Sequence, residues 1–144
     1  MGAPRTHILI VDDYPDALDI WTLYLRALGY RVSTANDGAT AIAQAEQLQP
    51  DLVVLDLELP GISGFEAARR LRRNPATHDI PLIAATGYSH DRQLRMAREA
   101  GVDEVMVKPV DPDTLVQEIE RLLDRHANVR QPIRFGRKRT RENG

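Results

Sequence analysis

The stretch Leu52-Val53-Val54-Leu55-Asp56-Leu57-Glu58-Leu59-Pro60-Gly61 (LVVLDLELPG) runs four apolar residues into a carboxylate and then into turn residues. A short, continuous, valine-rich run closed by such punctuation has the length and content of a buried parallel strand. The arrangement recurs on both sides of it. Ile8-Leu9-Ile10-Val11 runs into Asp12-Asp13, and Val105-Met106-Val107 runs into Lys108. Open α/β sheets build their sites at the carboxyl ends of such strands. If the three runs are neighbours in one sheet, three carboxylates and one ammonium converge on a single crevice.

Outward from these runs, strand-like and helix-like segments alternate. His7–Val11 is a strand, and Pro15 suits the first turn of a helix capped near Asp13 or Tyr14. Leu18, Trp21, Leu25 and Leu28 recur at helical spacing until Gly29. Arg31–Ala35 alternates as a short strand. Asn36 or Asp37 caps an alanine-rich helix to about Leu48, broken by Pro50-Asp51. After Leu52–Leu55 and a loop from Leu57 to Gly64, Ser63 caps a helix to about Arg73, with Phe65, Ala68 and Leu71 inward. Ile80–Ala85 reads as the fourth strand with Pro81 near its start, and Asp91–Ala100 as a helix closed by Gly101. Glu104–Val107 is the fifth strand. Asp111 or Asp113 caps a last helix to about His126, with Leu115, Val116, Ile119, Leu122 and Leu123 on one face. Five βα units imply a parallel sheet covered by helices on both faces, because crossovers are right-handed.

The 144 residues suit one domain with one core. Residues 1–126 are expected to form it, and 127–144 to be a basic, disordered tail. That tail holds Arg130, Arg134, Arg137, Lys138, Arg139 and Arg141 against Glu142 alone, so with a net charge of −2 the rest of the chain is acidic. The tail reads first as a solvated extension. Electrostatic binding of nucleic acid or of an acidic partner is the second reading, and it contains no helix-turn-helix. Cysteine is absent, which excludes a disulfide framework and a thiolate metal site. No apolar run approaches the ~20 residues of a membrane helix, and Met1–His7 lacks a signal-peptide apolar region. A cytoplasmic protein without membrane contact is expected.

The converging side chains have a definite chemistry. Mg²⁺ prefers one or two carboxylates together with water and phosphate oxygens. Crowded carboxylates repel one another, and a divalent cation relieves that. Lys108 is a compact point charge suited to a phosphate oxygen. Thr86, after Ile83-Ala84-Ala85, can offer its hydroxyl to the same oxygen, and Gly87 leaves room for a bulky group. An aspartate can itself act as nucleophile and form an acyl phosphate.

With Asp12-Asp13, Asp56 followed by Leu59-Pro60-Gly61, Thr86-Gly87 and Lys108-Pro109 at successive strand ends, the chain resembles the receiver domain of two-component response regulators, of the stand-alone type, over about residues 6–126. The resemblance implies a flavodoxin-like (βα)5 fold with strand order 2-1-3-4-5. It implies that Asp56 accepts a phosphoryl group from a sensor histidine kinase or a histidine phosphotransfer protein. Asp13, Asp56 and the backbone carbonyl of Glu58 would ligate Mg²⁺, with Asp12 acting mostly through metal-bound water. Lys108 would pair with Asp56 first and with the phosphoryl oxygen later. Thr86 would move toward the phosphoryl group, coupling it to the surface of the fourth helix, fifth strand and fifth helix. The Lys108-Pro109 bond is expected to be cis.

Three positions depart from the pattern or modulate it. The aromatic residue usual three positions before the strand-five lysine is Val105, whose short, stiff side chain cannot act as a rotameric switch. It is either simply a good strand residue or the mark of a different output path. Glu58, two residues after Asp56, and Tyr88, two after Thr86, border the approach of an attacking water and would alter phosphoryl lifetime; otherwise both are merely solvated. Trp21 reads as core, while Tyr24 and Tyr14 lie where helix one would meet a kinase or phosphotransfer helix. His7, His78, His90 and His126 lack ligand spacing and read as surface residues. Arg69, Arg70, Arg72 and Arg73 read as a solvated basic helix end.

The expected function is a phosphoacceptor signalling protein, not an enzyme beyond catalysing its own phosphorylation and dephosphorylation. It would act as a monomer or weak homodimer through an unidentified downstream protein. The alternatives are a pseudo-receiver that binds constitutively and a metal-dependent phosphatase using Glu58 as general acid. A flavin-binding flavodoxin is disfavoured by the acidic loop after the first strand.

Overall fold

Five strands alternate with five helices: β1 (His7–Val11), α1 (Pro15–Ala27), β2 (Arg31–Ala35), α2 (Gly38–Leu48), β3 (Leu52–Asp56), α3 (Gly64–Arg73), β4 (Leu82–Thr86), α4 (Asp91–Glu99), β5 (Glu104–Val107) and α5 (Pro112–Arg130). They are taken from a computed structural model that describes residues 5–130. The strands pair in parallel in the order β2-β1-β3-β4-β5, the flavodoxin-like arrangement.

The apolar runs are continuous because each strand feeds two cores. Side chains alternate across a strand. Leu9, Val11, Val53, Leu55, Leu82 and Ala84 therefore pack with Ala41, Ala45, Ala67, Ala68, Leu71 and Ala97 of α2, α3 and α4. Ile8, Ile10, Leu52, Val54 and Ile83 pack on the opposite face with Leu18 and Leu25 of α1 and Leu115, Ile119 and Leu122 of α5. The chain leaves β1 outward to β2 and then returns to β3 on the other side of β1. Crossovers next to β1 and β3 thus lie on opposite faces, which opens a crevice at their carboxyl ends.

Local chemistry sets the helix starts. The Asp37 carboxylate accepts the Thr40 N–H at 2.7 Å, the Ser63 hydroxyl accepts the Glu66 N–H at 3.1 Å, and Asp111 accepts the Thr114 N–H at 2.9 Å. Pro15 stands in the first turn of α1, where a missing N–H costs nothing, and the Tyr14 side chain makes no cap bond. Gly29 ends the α1 region at φ +99°, a conformation that favours glycine.

Several expectations are corrected. β4 begins at Leu82 rather than Ile80, because Pro81 has no N–H to give the ladder and only its carbonyl accepts, from Val53 N–H at 3.0 Å. β3 extends to Asp56, which is held in register with Ala85. α5 continues to Arg130, past the expected end near His126. Leu28 is 52 % exposed, beyond the last turn of α1, and not part of the inward stripe. His7 is only 6 % exposed and its Nε2 lies 2.7 Å from the Ser33 hydroxyl, so it is not a surface residue. Burial first, and then the charge of Arg31, hold its pKa below the ordinary value against the opposing charge of Asp51. The expected tail beyond residue 130 lies outside the described residues. Among the described residues no helix is long and apolar enough to cross a membrane.

Candidate functional site

Asp12 and Asp13 leave the end of β1, and Asp56 is the last residue of the adjacent β3. The β1–β3 register sets Val11 beside Leu55, so the acids just beyond that pair meet. One carboxylate oxygen from each of Asp12, Asp13 and Asp56 lies within 4.8 Å of the others. Asp56 is 2 % exposed and Asp12 is buried, whereas Asp13 faces solvent. A buried carboxylate needs partners, and Asp56 has them. Its Oδ2 accepts from Lys108 Nζ at 3.0 Å and its Oδ1 from the Glu58 N–H at 2.9 Å. Lys108 Nζ also stands 3.8 Å from Asp12 Oδ2, while Asp12 Oδ1 accepts the Tyr14 N–H at 2.9 Å.

Burial raises the Asp12 carboxyl above its usual value. The Tyr14 hydrogen bond and Lys108 oppose this, and the neighbouring charges of Asp56 and Asp13 reinforce it. Burial alone would lower Lys108, but the hydrogen bond to Asp56 and the charges of Asp56, Asp12 and Glu58 outweigh it and raise the ammonium. Lys108 therefore stays a cation. Three crowded carboxylate oxygens against one ammonium leave an excess of negative charge in an all-oxygen donor set. That set fits a hard divalent cation such as Mg²⁺. The Lys108-Pro109 peptide bond is cis.

Thr86, the last residue of β4, is fully buried, and its hydroxyl donates to Glu58 Oε2 at 2.6 Å. Glu58 Oε1 accepts the Gly87 N–H at 2.9 Å, and Thr86 Oγ1 accepts the Tyr88 N–H at 3.1 Å. The sequence readings of the Glu58 side chain, as a modulator of phosphoryl lifetime, a solvated group or a general acid, do not include this pairing with Thr86 and Gly87. Its side chain is neither bare in solvent nor a free general acid, since both carboxylate oxygens are engaged. Tyr88 is 51 % exposed, and its backbone N–H is the group that reaches Thr86. Val105 sits in β5, paired with Ala84 and half-buried against the α2–α4 core. Trp21 packs half-buried on the opposite core, edge-to-face with Tyr24 at a centroid distance of 6.2 Å, and the Tyr24 hydroxyl donates to Asp113 at 3.0 Å.

A largely apolar cavity of about 650 Å³ opens beside Asp12, Asp56 and Lys108 and continues between α1 and α5, against Trp21, Tyr24, Met106 and Leu115. Gly64, a site-supporting residue absent from the sequence reading as such, lies against the backbone of Asp56 and Leu57. Its signal is the pair Ser63-Gly64, a cap followed by a glycine in a helical first turn, where conformational freedom is not needed and only lack of a side chain is.

The sequence matches the profile of the response regulator receiver domain over residues 8–120. It is 38 % identical over 124 residues to the DNA-binding dual master transcriptional regulator RpaA of Synechocystis, covering 86 % of this chain and 52 % of RpaA. It is 35 % identical over 116 residues to PilH of Pseudomonas aeruginosa, covering 81 % of this chain and 96 % of PilH. The chain thus spans about half the length of RpaA, and likewise 54 % of the response regulator MtrA of Mycolicibacterium smegmatis. Among solved structures, a CheY-like receiver domain from Methanospirillum hungatei superposes with a TM-score of 0.81 at 29 % identity, covering 87 % of this chain and 98 % of that one. The receiver domain of a sensor histidine kinase from P. aeruginosa, with magnesium coordinated in its active-site cleft, superposes with a TM-score of 0.78 at 29 % identity, covering 84 % and 99 %. Profile, sequence identity and strand order agree with the acid–lysine crevice, and the chain belongs to the receiver-domain family of two-component response regulators.

Proposed function

We propose that Asp56 is the phosphoacceptor of this receiver domain. The observation that carries the reading is a nearly inaccessible carboxylate paired with Lys108 at 3.0 Å and gathered with Asp12 and Asp13 at adjacent strand ends. A carboxylate oxygen of Asp56 attacks phosphorus, the bond from phosphorus to the donor breaks, and the leaving group departs with the electron pair. The donor is a phosphohistidine on a sensor kinase or phosphotransfer protein. Exposed Tyr14 and Ile20, which line the cavity that opens beside Asp12, Asp56 and Lys108, offer it an apolar docking face.

Asp12, Asp13, Asp56 and the Glu58 backbone carbonyl are the residues that would hold Mg²⁺. Once bound, the ion supplies positive charge against the phosphoryl oxygens. Lys108 moves its hydrogen bond from Asp56 to a phosphoryl oxygen, keeping its cation where charge develops. Thr86 donates its hydroxyl to the same group. This shift passes to a downstream protein through the surface of α4, β5 and α5, by backbone movement, since Val105 has no ring to reorient.

The test is incubation with acetyl phosphate and Mg²⁺, read by intact mass. The expected result is the gain of one phosphoryl group, abolished in Asp56→Asn and by chelation of the metal. A wild-type protein that neither gains mass nor binds beryllofluoride would instead be a constitutive binding module.

A further inference from the structure

Glu58 touches both halves of the site. Its backbone N–H holds Asp56 Oδ1 at 2.9 Å, and its carboxylate takes the Thr86 hydroxyl at 2.6 Å and the Gly87 N–H at 2.9 Å. These two donors leave the end of β4 just past Ala85, the register partner of Asp56. They are the β4-side groups placed to meet an anion growing on Asp56. A carboxylate and a phosphoryl group present the same kind of acceptor, anionic oxygens on a planar or tetrahedral centre. Both cannot hold one hydroxyl proton at once.

We propose that Glu58 is an internal stand-in for the phosphoryl group: its carboxylate occupies Thr86 and Gly87 in the resting state and must be displaced before they can bind phosphorylated Asp56. The proposal rests on Asp56 being the acceptor. Glu58 is then a positioning residue that acts through Thr86. It sets the resting conformation of the β4–α4 loop by two charge-assisted hydrogen bonds, and phosphorylation exchanges one anion for another on the same donors. A chain with a neutral or short residue here would hold its threonine less firmly and switch at lower cost. The Tyr88 N–H, which donates to Thr86 Oγ1 at 3.1 Å, extends the held segment by one more residue.

Beryllofluoride affinity in the presence of Mg²⁺, measured by calorimetry on the full chain, tests this in a double-mutant cycle. Glu58→Ala is expected to tighten binding by about tenfold, because the two donors no longer leave an anionic acceptor. In the Thr86→Val background the same substitution is expected to gain less than about threefold, since one of the two contested donors is gone. The second readout needs no ligand: the Gly87 amide proton, hydrogen-bonded to a carboxylate, is expected to move upfield in Glu58→Ala. An equal gain in both backgrounds assigns the effect to charge repulsion alone and overturns the proposal. So does an unchanged affinity, or an unmoved Gly87 resonance. Failure of the wild type itself to bind beryllofluoride overturns the phosphoacceptor reading instead, which separates the two.

Discussion

Gly64 begins α3 with no room for a side chain. A Cβ there would lie 2.3 Å from the Asp56 carbonyl oxygen and 2.5 Å from the Leu57 Cα, while its N–H donates to the Leu57 carbonyl at 3.1 Å. These are backbone atoms, which cannot swing aside. Alanine normally stabilises a helical position relative to glycine, but here the clash decides the sign. Gly64→Ala is expected to lose about 2 kcal/mol or more in urea unfolding. It should also weaken beryllofluoride binding, because the strand end that carries Asp56 must shift. A variant of undiminished stability would show that α3 can slide outward freely. At this scale the sequence identifies acids, lysine and threonine by their positions at strand ends. It does not reveal partners such as Glu58 with Thr86, because residues 28 positions apart meet only once β3 and β4 pair.

Arg72 shows the same limit for an element. Four arginines close α3, and the sequence reads them as one solvated face. The helix instead divides them. Arg69, Arg70 and Arg73 gather on Glu66 at 3.0–3.2 Å, exposed and worth little individually. Arg72, four residues after buried Ala68, turns toward the body and donates to the carbonyls of Gly101 (2.9 Å), His78 (2.8 Å) and Ile80 (2.7 Å), and to Asp103 (2.9 Å). Asp103 also accepts the Leu82 N–H at 2.9 Å, so one guanidinium ties α3 to the start of β4 and to the α4–β5 turn. Burial lowers its pKa, and Asp103 and Asp79 oppose this, so the group remains a cation. Arg72→Lys keeps the charge but not the planar fork, and is expected to cost about 2 kcal/mol in urea unfolding with an unchanged m-value. A cost within ~0.5 kcal/mol would make this an ordinary surface arginine. The four-residue spacing from Ala68 points Arg72 inward in the sequence, but Arg69 stands in the same relation to Phe65, so only the packed structure separates them.

For the whole molecule, cation binding at the acid cluster and folding would be one equilibrium. Asp12, Asp13 and Asp56 are brought within 4.8 Å only by the β1–β3 pairing, so a cation that binds them binds the folded chain alone. Mg²⁺ at a hundredfold excess over its dissociation constant should therefore add about 2.7 kcal/mol and raise the thermal midpoint by roughly 10 °C. Chelation should reverse the rise, and Asp13→Asn should largely remove it. An equal Mg²⁺ effect in the variant would place the ion elsewhere. The asymmetry of the site matters here. Asp13 faces solvent and would admit an ion, whereas Asp12 and Asp56 are buried and carry repulsion that such an ion would relieve.

By itself the sequence determines the order of elements, the two-faced sheet and the identity of the groups at the strand ends. Those follow from local rules: apolar runs of strand length, helical spacing, caps and glycine stops. Its errors in the element bounds are local as well. They lie at Pro81, where a missing N–H delays β4, and at the end of α5, where weak apolar periodicity does not stop a helix already docked by Leu115, Ile119 and Leu122. Only the tertiary structure decides which groups hold which. His7 goes inside because Ser33 receives it, Arg72 because three carbonyls and Asp103 do, and Glu58 closes on Thr86 and Gly87 rather than on water. Each pairing depends on strands or turns remote in the chain coming together. Burial then makes an unpaired polar group costly enough to fix the partner.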